Sequence, residues 1–146
     1  MASRTLYFLT SSRVTILHAL QVARAIPTQP DMLESATLSP VNTHSYEEQT
    51  DVFHLAAILA QKIMKNHAFQ DGNKRTALIA ADIFLQMNGF RLEVTEPPRA
   101  GEDYPLTTAH VRTATNQMGV EELAAFYKSV AKSIETSTPG TEKPMR

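Results

Sequence analysis

The chain has 146 residues, which is enough for one domain with a proper core and too few for two comfortable ones. Its net charge of −1 provides no global positive field for nucleic acid, so any phosphate site must be a local cluster. The absence of cysteine excludes disulfides, thiolate metal sites and a cysteine nucleophile. No apolar run is long enough to cross a bilayer, and the N-terminus lacks the apolar core of a secretory signal. We therefore expect a soluble, cytoplasmic protein that binds neither membranes nor nucleic acid.

The predicted elements begin with two helices and a loop. Apolar residues at helical spacing predict a helix over residues 11–25, with Ser11 or Ser12 as its N-cap, and the stretch IPTQP ends it. A short helix is predicted over residues 31–38. The polar stretch SPVNTHSYEEQ, residues 39–49, is predicted to be a loop of a length that often carries function.

Two strongly apolar helices follow. One covers residues 50–66, with Thr50 as the predicted cap, and the other covers residues 74–88. Gly89 is well placed to end the second helix in a left-handed conformation. Because both helices are apolar nearly all round, we expect them to be buried on most sides.

The C-terminal part has weaker patterns. A short strand is predicted at RLEV, residues 91–94, followed by helices over residues 106–118 and 120–134. No alternating pattern spans more than a few residues, so the predicted class is all-α, with a single domain over residues 1–135. Residues 136–146 have little to bury and are predicted to be a disordered tail.

The connection between the two apolar helices reads HAFQDGNKR, and we call residues 67–75 the motif segment. Gly72 precedes a predicted helix N-terminus, whose free N–H groups and dipole attract anions. Lys74 and Arg75 add positive charge to this positive helix end, which is unfavourable unless an anion such as phosphate is bound there. The alternative is an ordinary polar loop with Asn73 as the helix cap and both cations on a solvated face. The residues alone leave both interpretations open.

Three more residues of the motif segment have predicted roles. Asp71 is its only carboxylate, and beside a phosphate site its expected role is to hold Mg²⁺. His67 is its only side chain that readily exchanges a proton near neutral pH, so it is the candidate general base for a hydroxyl. Phe69 is expected to be a buried anchor of the segment.

The remaining histidines receive no functional role from the sequence. His18 and His54 lie among apolar neighbours in predicted helices, where structural histidines are the expected interpretation. His44 is expected at the surface, and His110 has no recognisable partner at a telling spacing.

The segment HAFQDGNKRTAL resembles the signature of the Fic/Doc superfamily, and within it the Doc branch of death-on-curing toxins. The Fic pattern is His-x-Phe-x-(Asp/Glu)-Gly-Asn-Gly-Arg-x-x-Arg. The matching residues are His67, Phe69, Asp71, Gly72, Asn73 and Arg75. Lys74 stands where Fic enzymes have a second Gly and Leu78 where they have a second Arg, and both departures are typical of Doc. The resemblance covers roughly residues 12–130.

The resemblance implies a Fic/Doc-type helical bundle, with the motif segment joining two central buried helices and short flap or strand segments beside it. It also implies ATP with Mg²⁺, and transfer to a hydroxyl of a target protein. By this resemblance His67 is the base and Asp71 holds the metal. Gly72, Asn73 and Arg75 bind phosphates.

Lys74 and Leu78 bear on the group transferred. Fic enzymes mostly transfer AMP, and use the second Gly and second Arg to seat the nucleotide. Doc-type proteins transfer the γ-phosphate, as kinases acting on a threonine of the bacterial translation elongation factor. The resemblance therefore favours a Doc-like, toxin-like kinase. Its expected catalytic residues, besides His67, are Asp71, Lys74 and Arg75, and Lys74 is also expected to bind ATP. An AMP transferase, and an idle nucleotide-binding module, remain as alternatives.

The sequence also bears on regulation. Residues 39–49 occupy the place of the family's flap, which positions a target by strand-like backbone pairing. The family's inhibitory pattern, Ser/Thr-x-x-x-Glu-Gly/Asn, has no good match, since residues 43–47 are followed by Glu48 and residues 138–142 by Lys143. Restraint is therefore expected from a separate antitoxin-like chain or from an oligomeric contact.

Overall fold

The computed structural model describes residues 5–21, 27–70, 72–93, 101 and 105–134. Their elements, in chain order, are α1 Ser11–Gln21, α2 Pro30–Glu47, α3 Val52–Asn66, α4 Asn73–Met87, β1 Phe90–Leu92, α5 Pro105–Ala114, α6 Val120–Val130 and β2 Ala131–Ser133. The helical class predicted from the sequence is confirmed. No described helix is both long enough and apolar enough to span a membrane. The predicted extent of the domain and the predicted disorder of its tail stay predictions, because residues 135–146 lie outside the described range.

Helix α3 is the centre of the fold. It packs against α2, α4, α5 and α6. Most residues of α3 are buried, and α4 buries one face. The apolar composition of both helices predicts this burial. The buried alanines are Ala56, Ala57 and Ala60 on α3 and Ala77, Ala80 and Ala81 on α4. Short side chains let helix axes approach closely, so the two ends of the motif segment are held firmly together.

The boundaries of α3 and α4 differ from the predicted ones by at most two residues. Asp51, not Thr50, caps α3, because its Oδ1 accepts a hydrogen bond of 2.9 Å from the N–H two residues on. Thr10, and not Ser11 or Ser12, caps the start of α1. Its hydroxyl oxygen accepts a hydrogen bond of 3.2 Å from the N–H of Arg13. Gly89, just after α4, has φ +97°, which confirms the predicted left-handed ending.

The loop predicted over residues 39–49 is wrong for most of its length, because α2 continues to Glu47. Its buried residues are Leu33, Ala36, Thr37 and Pro40. They recur at helical spacing and form one stripe, but their small or polar side chains hid the period from the sequence. Burial of this stripe in a helix that packs on α3 outweighs the single backbone bond that Pro40 cannot donate.

This correction removes the predicted flap from residues 39–47. Only a short connection, with Glu48 in a left-handed conformation at φ +55°, separates α2 from α3. His44 closes the end of α2, since its Nδ1 donates to the carbonyl of Gln49 at 2.7 Å and its ring lies 5.7 Å from the ring of Phe8. His44 is thus a partly buried structural residue, whereas Tyr46 beside it is 85% exposed.

A two-stranded antiparallel ribbon pairs β1, which follows α4, with β2, which follows α6. Residue Phe90 pairs with Ser133, and Leu92 pairs with Ala131. The predicted strand is therefore confirmed, one residue earlier than expected. The predicted continuation of the last helix to residue 134 is wrong, because Ala131 takes an extended backbone conformation (φ −82°, ψ 147°). The strand β2 that begins there forms backbone hydrogen bonds with β1.

The helix predicted over residues 106–118 is shorter than expected. It ends at Ala114, and Asn116 then takes a left-handed conformation at φ +65°. The N–H of Gln117 returns to the carbonyl of Arg112 at 2.7 Å, which satisfies one of the free carbonyls at the helix end. The turn that contains Asn116 reaches the end of α3, beside the motif segment.

Candidate active site

The motif segment begins and ends in left-handed backbone. His67 ends α3 at φ +48° and ψ +47°, and Gly72 precedes α4 at φ +77° and ψ +17°. For a residue with a side chain this conformation costs roughly 1–2 kcal/mol, whereas glycine adopts it without that penalty. The two turns reverse the chain, so that the His67 side chain is exposed while Phe69, two residues on, is buried.

Asn73 closes the segment from within. Its Nδ2 donates to the carbonyl of Phe69 at 2.8 Å, and its Oδ1 accepts from the N–H of Phe69 at 3.1 Å. Asn73 is the first residue of α4 and Gly72 is the cap position, so Asn73 is not the helix cap of the alternative interpretation. These bonds use one N–H of its side-chain amide, so the second N–H of that amide and the backbone N–H are the donors that Asn73 can offer to an anion.

Phe69 anchors the segment in the core, where it is 1% exposed. Its ring stacks on the ring of His18 with 3.8 Å between centroids and 5° between planes. His18 is itself buried, in agreement with the structural role expected of it. The motif segment is thus fixed to α1 through one aromatic stack.

A second support comes from the residues just before α2, and no pattern in the sequence indicated it. The Gln29 N–H donates to the carbonyl of Ala68 at 3.0 Å, and the hydroxyl of Thr28 donates to the same carbonyl at 3.3 Å. The Gln29 side chain donates to the carbonyl of His67 at 3.0 Å. These bonds satisfy the backbone carbonyls of His67 and Ala68, which follow the end of α3, and so hold the backbone of His67 in place.

The motif segment forms one wall of a cavity of about 900 Å³. The other walls come from the end of α3, the first turns of α4, and α5 with the turn after it. The lining residues are Met64, Lys65, His67, Gln70, Gly72, Asn73, Lys74, Arg75, Leu78, Thr107, His110, Val111, Ala114 and Asn116. The volume lies within the range of small-molecule and cofactor sites.

The cavity brings together five of the seven residues predicted for the site: His67, Gly72, Asn73, Lys74 and Arg75. Phe69 lies behind it in the core. Asp71 lies outside the described residues, so its expected role as the metal ligand stays a prediction.

Positive charge collects at this cavity. Lys74 and Arg75 are exposed in the first turn of α4, and Lys65 joins them from the end of α3, where its Nζ donates to the side chain of Asn116. Within the described ranges the only ion pair lies elsewhere, in the β-ribbon at Arg91. Lys65 was missed because the sequence places it in an amphipathic helix, where an exposed lysine is ordinary.

The residues present fit the phosphates of a nucleotide. Three cations and the free N–H groups of a helix N-terminus face one cavity, and no described carboxylate pairs with them. For Mg²⁺ the described residues contain no cluster of three metal-binding side chains. Mg²⁺ commonly uses one or two carboxylates together with phosphate oxygens, so Asp71 alone would suffice beside a bound phosphate.

His110 on α5 is a cavity residue that the sequence did not identify. It is 2% exposed, and its Nε2 is hydrogen-bonded to the hydroxyl of Tyr127 on α6. Burial lowers the pKa of His110 to about 4, and a hydrogen bond with the backbone of Lys74 opposes this shift in part. Burial, and then the charge of Asp82, raise the pKa of Tyr127 well above its ordinary value. Both groups are therefore neutral at pH 7.

The sequence shows no recognisable partner spacing for His110, and the structure provides a partner, Tyr127. The partner lies 17 residues further along, on a different helix, and the two rings meet edge to face at 5.7 Å. Only the packing of α5 on α6 joins them. His54, by contrast, lies on α3 away from the motif segment, beside a smaller cavity of about 440 Å³ near the start of α6.

Known proteins resemble this chain in sequence. The model of the family described as "Fic/DOC family" matches residues 8–85, a range that includes the motif segment. The chain is 34% identical to "Protein kinase doc" of Escherichia phage P1 over 91 residues, which are 62% of this chain and 66% of that protein. It is 31% identical to "Toxin Doc" of Mycolicibacterium smegmatis over 106 residues, which are 72% of this chain and 78% of that protein. The match thus spans just under two thirds of the phage protein and more than three quarters of the mycobacterial one. By this family match and these two relatives, the chain belongs to the Fic/Doc family, in its Doc branch.

Proposed function

We propose that this chain is a Doc-like protein kinase that transfers the γ-phosphate of ATP to a Ser or Thr hydroxyl of a target protein. One observation carries the proposal. A single cavity holds the candidate base His67 together with a helix N-terminus and the cations Lys74 and Arg75. A proton acceptor beside an anion site is what phosphate transfer to a hydroxyl requires.

Phosphate binding is assigned to the start of α4. The first N–H groups of a helix have no partner within it, and the dipole adds partial positive charge at the same end. Gly72 has no side chain, so phosphate oxygens can approach its backbone closely. Arg75 can present two parallel donors, whereas Lys74 provides a compact point charge. Asn73 acts through its backbone N–H and through the loop shape that its side chain holds.

His67 is assigned the role of general base, which accepts the proton of the target hydroxyl. Its side chain is exposed at the cavity, while the Gln29 side chain and the helix end hold its backbone. As the target oxygen bonds to phosphorus, its proton passes to the imidazole of His67, and the bond from phosphorus to the leaving ADP breaks. Mg²⁺, held by Asp71 and phosphate oxygens, would neutralise charge on the phosphates.

Lys74 and Leu78 support γ-phosphate transfer over AMP transfer. Both residues line the cavity, and they are the two positions at which the chain departs from the Fic pattern. A lysine narrows the backbone pocket that a glycine leaves open, and a leucine provides no charge for the terminal phosphates. An AMP transferase is the second candidate, because the remaining motif residues suit both reactions.

Labelled ATP tests the proposal. The full chain is incubated with Mg²⁺, a bacterial lysate as the source of targets, and ATP labelled at the α- or the γ-phosphate. We expect label on protein only from the γ-position. Label from the α-position alone would establish AMP transfer. Mass spectrometry of the labelled peptide identifies the added group and the accepting residue.

A His67→Asn variant separates catalysis from an idle module. Asparagine tolerates left-handed backbone better than alanine, so this variant removes the base with little strain. It should bind ATP and transfer no phosphate. Unchanged transfer would exclude His67 as the base, and absent transfer in both proteins with normal ATP binding would favour the idle module.

The names of the relatives suggest the biological setting. From the name "Toxin Doc" we propose that the protein is a toxin that arrests growth through its target. From the family resemblance we propose a translation elongation factor as the first candidate target, and a separate antitoxin-like chain that restrains the toxin. Expression in bacteria should stop growth for the natural chain and not for His67→Asn. Equal growth arrest by both would show that the effect does not depend on transfer.

A further inference from the structure

His110 lies behind the start of α4 and connects three helices. It is buried on α5, and its Nε2 is hydrogen-bonded to the hydroxyl of Tyr127 on α6. Its ring is also hydrogen-bonded to the backbone of Lys74, in the first turn of α4. No ligand atom can reach its Nδ1, because that nitrogen is fully buried. Any effect of His110 on the site is therefore exerted through the residues that it holds.

The two hydrogen bonds determine which nitrogen carries the proton. Burial lowers the pKa of His110 and the bond with Lys74 raises it, so in that bond the ring donates and the backbone carbonyl of Lys74 accepts. Because a neutral ring has one N–H, Nε2 must then accept from the hydroxyl of Tyr127. His110 is thus in the Nδ1–H form. Among the described residues this N–H has no partner other than the Lys74 backbone.

The first turn of α4 is a weak point of the candidate site. It begins after the left-handed Gly72, and its first helical bond joins the N–H of Thr76 to the carbonyl of Gly72 at 2.9 Å. Lys74 and Arg75 place two exposed cations at the positive end of the helix dipole, which destabilises the turn while no anion is bound. The proposed phosphate site is therefore built on a turn that its own charges tend to open.

His110 opposes this opening. If the turn moved away from α5, the Nδ1–H of His110 would stay buried without an acceptor, which lowers the population of such open states by roughly tenfold. We propose that His110 is a positioning residue, which keeps the first turn of α4 in its phosphate-binding shape before the nucleotide arrives. Tyr127 keeps His110 in the tautomer that this requires. The inference rests on the proposed function and adds to it a residue that acts through the backbone of Lys74.

Hydrogen exchange of the backbone amides tests this in the free protein. The test variant combines His110→Leu with Tyr127→Phe, because replacing both partners of a buried hydrogen bond by apolar side chains of similar shape disturbs the fold least. The amides of residues 76–78 have the carbonyls of residues 72–74 as helical acceptors. We expect these amides to exchange roughly tenfold faster than in the natural chain, and those of α2 and α3 at unchanged rates. Equal acceleration throughout the chain, or none at residues 76–78, would overturn the inference.

Two single variants separate positioning from packing. In His110→Asn the amide nitrogen lies near the position of Nδ1, so the bond to Lys74 can still form, and exchange at residues 76–78 should return most of the way to the natural rate. His54→Leu, on α3 beside the smaller cavity, should leave these amides unchanged. Failure of asparagine to slow the exchange would contradict the role of the Lys74 bond. If a variant does not fold, nitrogen NMR of the natural chain decides: the Nδ1–H form of His110 is expected, and the Nε2–H form would overturn the inference.

Nucleotide binding separates this inference from the proposed function. We expect the natural chain to bind a non-hydrolysable ATP analogue with Mg²⁺, and the double variant to bind it roughly threefold to tenfold more weakly. Adenosine, which has no phosphate, should show no such difference. If both proteins bind the analogue equally well, His110 does not position the phosphate site, and the kinase proposal stands. If the natural chain binds no analogue, the proposed function fails, and this inference fails with it.

Discussion

The side-chain amide of Asn73 makes two hydrogen bonds with the backbone of Phe69, one at each of its peptide groups. These two hydrogen bonds hold the backbone of Phe69 against the first residue of α4, in the way that a neighbouring strand binds both backbone groups of one residue. Because Phe69 is also stacked on His18 in the core, Asn73 ties the exposed start of α4 to a buried aromatic ring. The first-turn cations thereby gain a fixed position relative to His67.

Asn73→Ala should therefore damage both stability and catalysis. Two hydrogen bonds are lost, and we expect the free energy of unfolding to fall by about 2 kcal/mol. Urea unfolding measures this change, and phosphate transfer should fall further than the folded fraction alone explains. The control is His67→Asn, which should abolish transfer with little change in stability. Full transfer by folded Asn73→Ala would show that this pair of bonds does not position the site.

Restoring the Fic residues should change the group transferred. In the double variant Lys74→Gly and Leu78→Arg, the pocket gains backbone room and a second arginine. We expect the ratio of α-label to γ-label on the target to rise by about tenfold, the size of one charge-assisted contact. Lys74→Gly with Leu78→Gln, which adds polarity without charge, is the matched control. An unchanged ratio would mean that these two positions do not select the transferred group.

Truncation of Phe69 should destabilise the whole fold. A buried aromatic replaced by alanine typically costs about 3–5 kcal/mol, and Phe69→Leu should cost less because it keeps most of the volume. Thermal unfolding measures both. Tyr46→Ala, at a ring that is 85% exposed, is the control and should change stability by less than about 0.5 kcal/mol. A small effect of Phe69→Ala would contradict the anchoring role.

His110 should make stability depend on pH below neutrality. Its folded-state pKa of about 4 lies below the ordinary value of 6.5, so between these values the unfolded chain binds a proton that the folded chain does not. Stability from this group is therefore complete above pH 6.5 and is lost as the pH falls towards 4, by about 3 kcal/mol in total.

Urea unfolding across this pH range measures the effect. The comparison is with His110→Gln, which has no titratable ring, so that the difference between the two curves removes the contribution of carboxylates and other histidines. We expect the natural chain to lose more stability than the variant as the pH falls. Parallel curves would show that the His110 ring titrates normally.

Much of the candidate site could be predicted from the sequence because it is local. The motif residues lie within nine positions, and the apolar composition of residues 50–66 and 74–88 indicated that both neighbouring helices are buried. Because the second apolar helix begins just after Gly72, its N-terminus lies there, and a helix N-terminus attracts anions. The spacing alone therefore placed His67 near the cations.

Other features depend on contacts between distant residues. The extension of α2 through Pro40 requires α3 to bury its stripe, and β2 exists only because β1 lies beside it. Gln29 supports His67 across 38 residues, and His110 finds Tyr127 on another helix. No local pattern encodes these pairs, because each residue alone has an ordinary polar or aromatic side chain.

The family motif, its place between two buried helices and the charge at the start of α4 all follow from local sequence. Tertiary structure decided where the cavity lies and which residues complete it. The physical reason is that hydrophobic period and helix polarity act within a few residues, whereas a cavity is bounded by whichever elements pack around it. His110 belongs to the site only because α5 packs on α4.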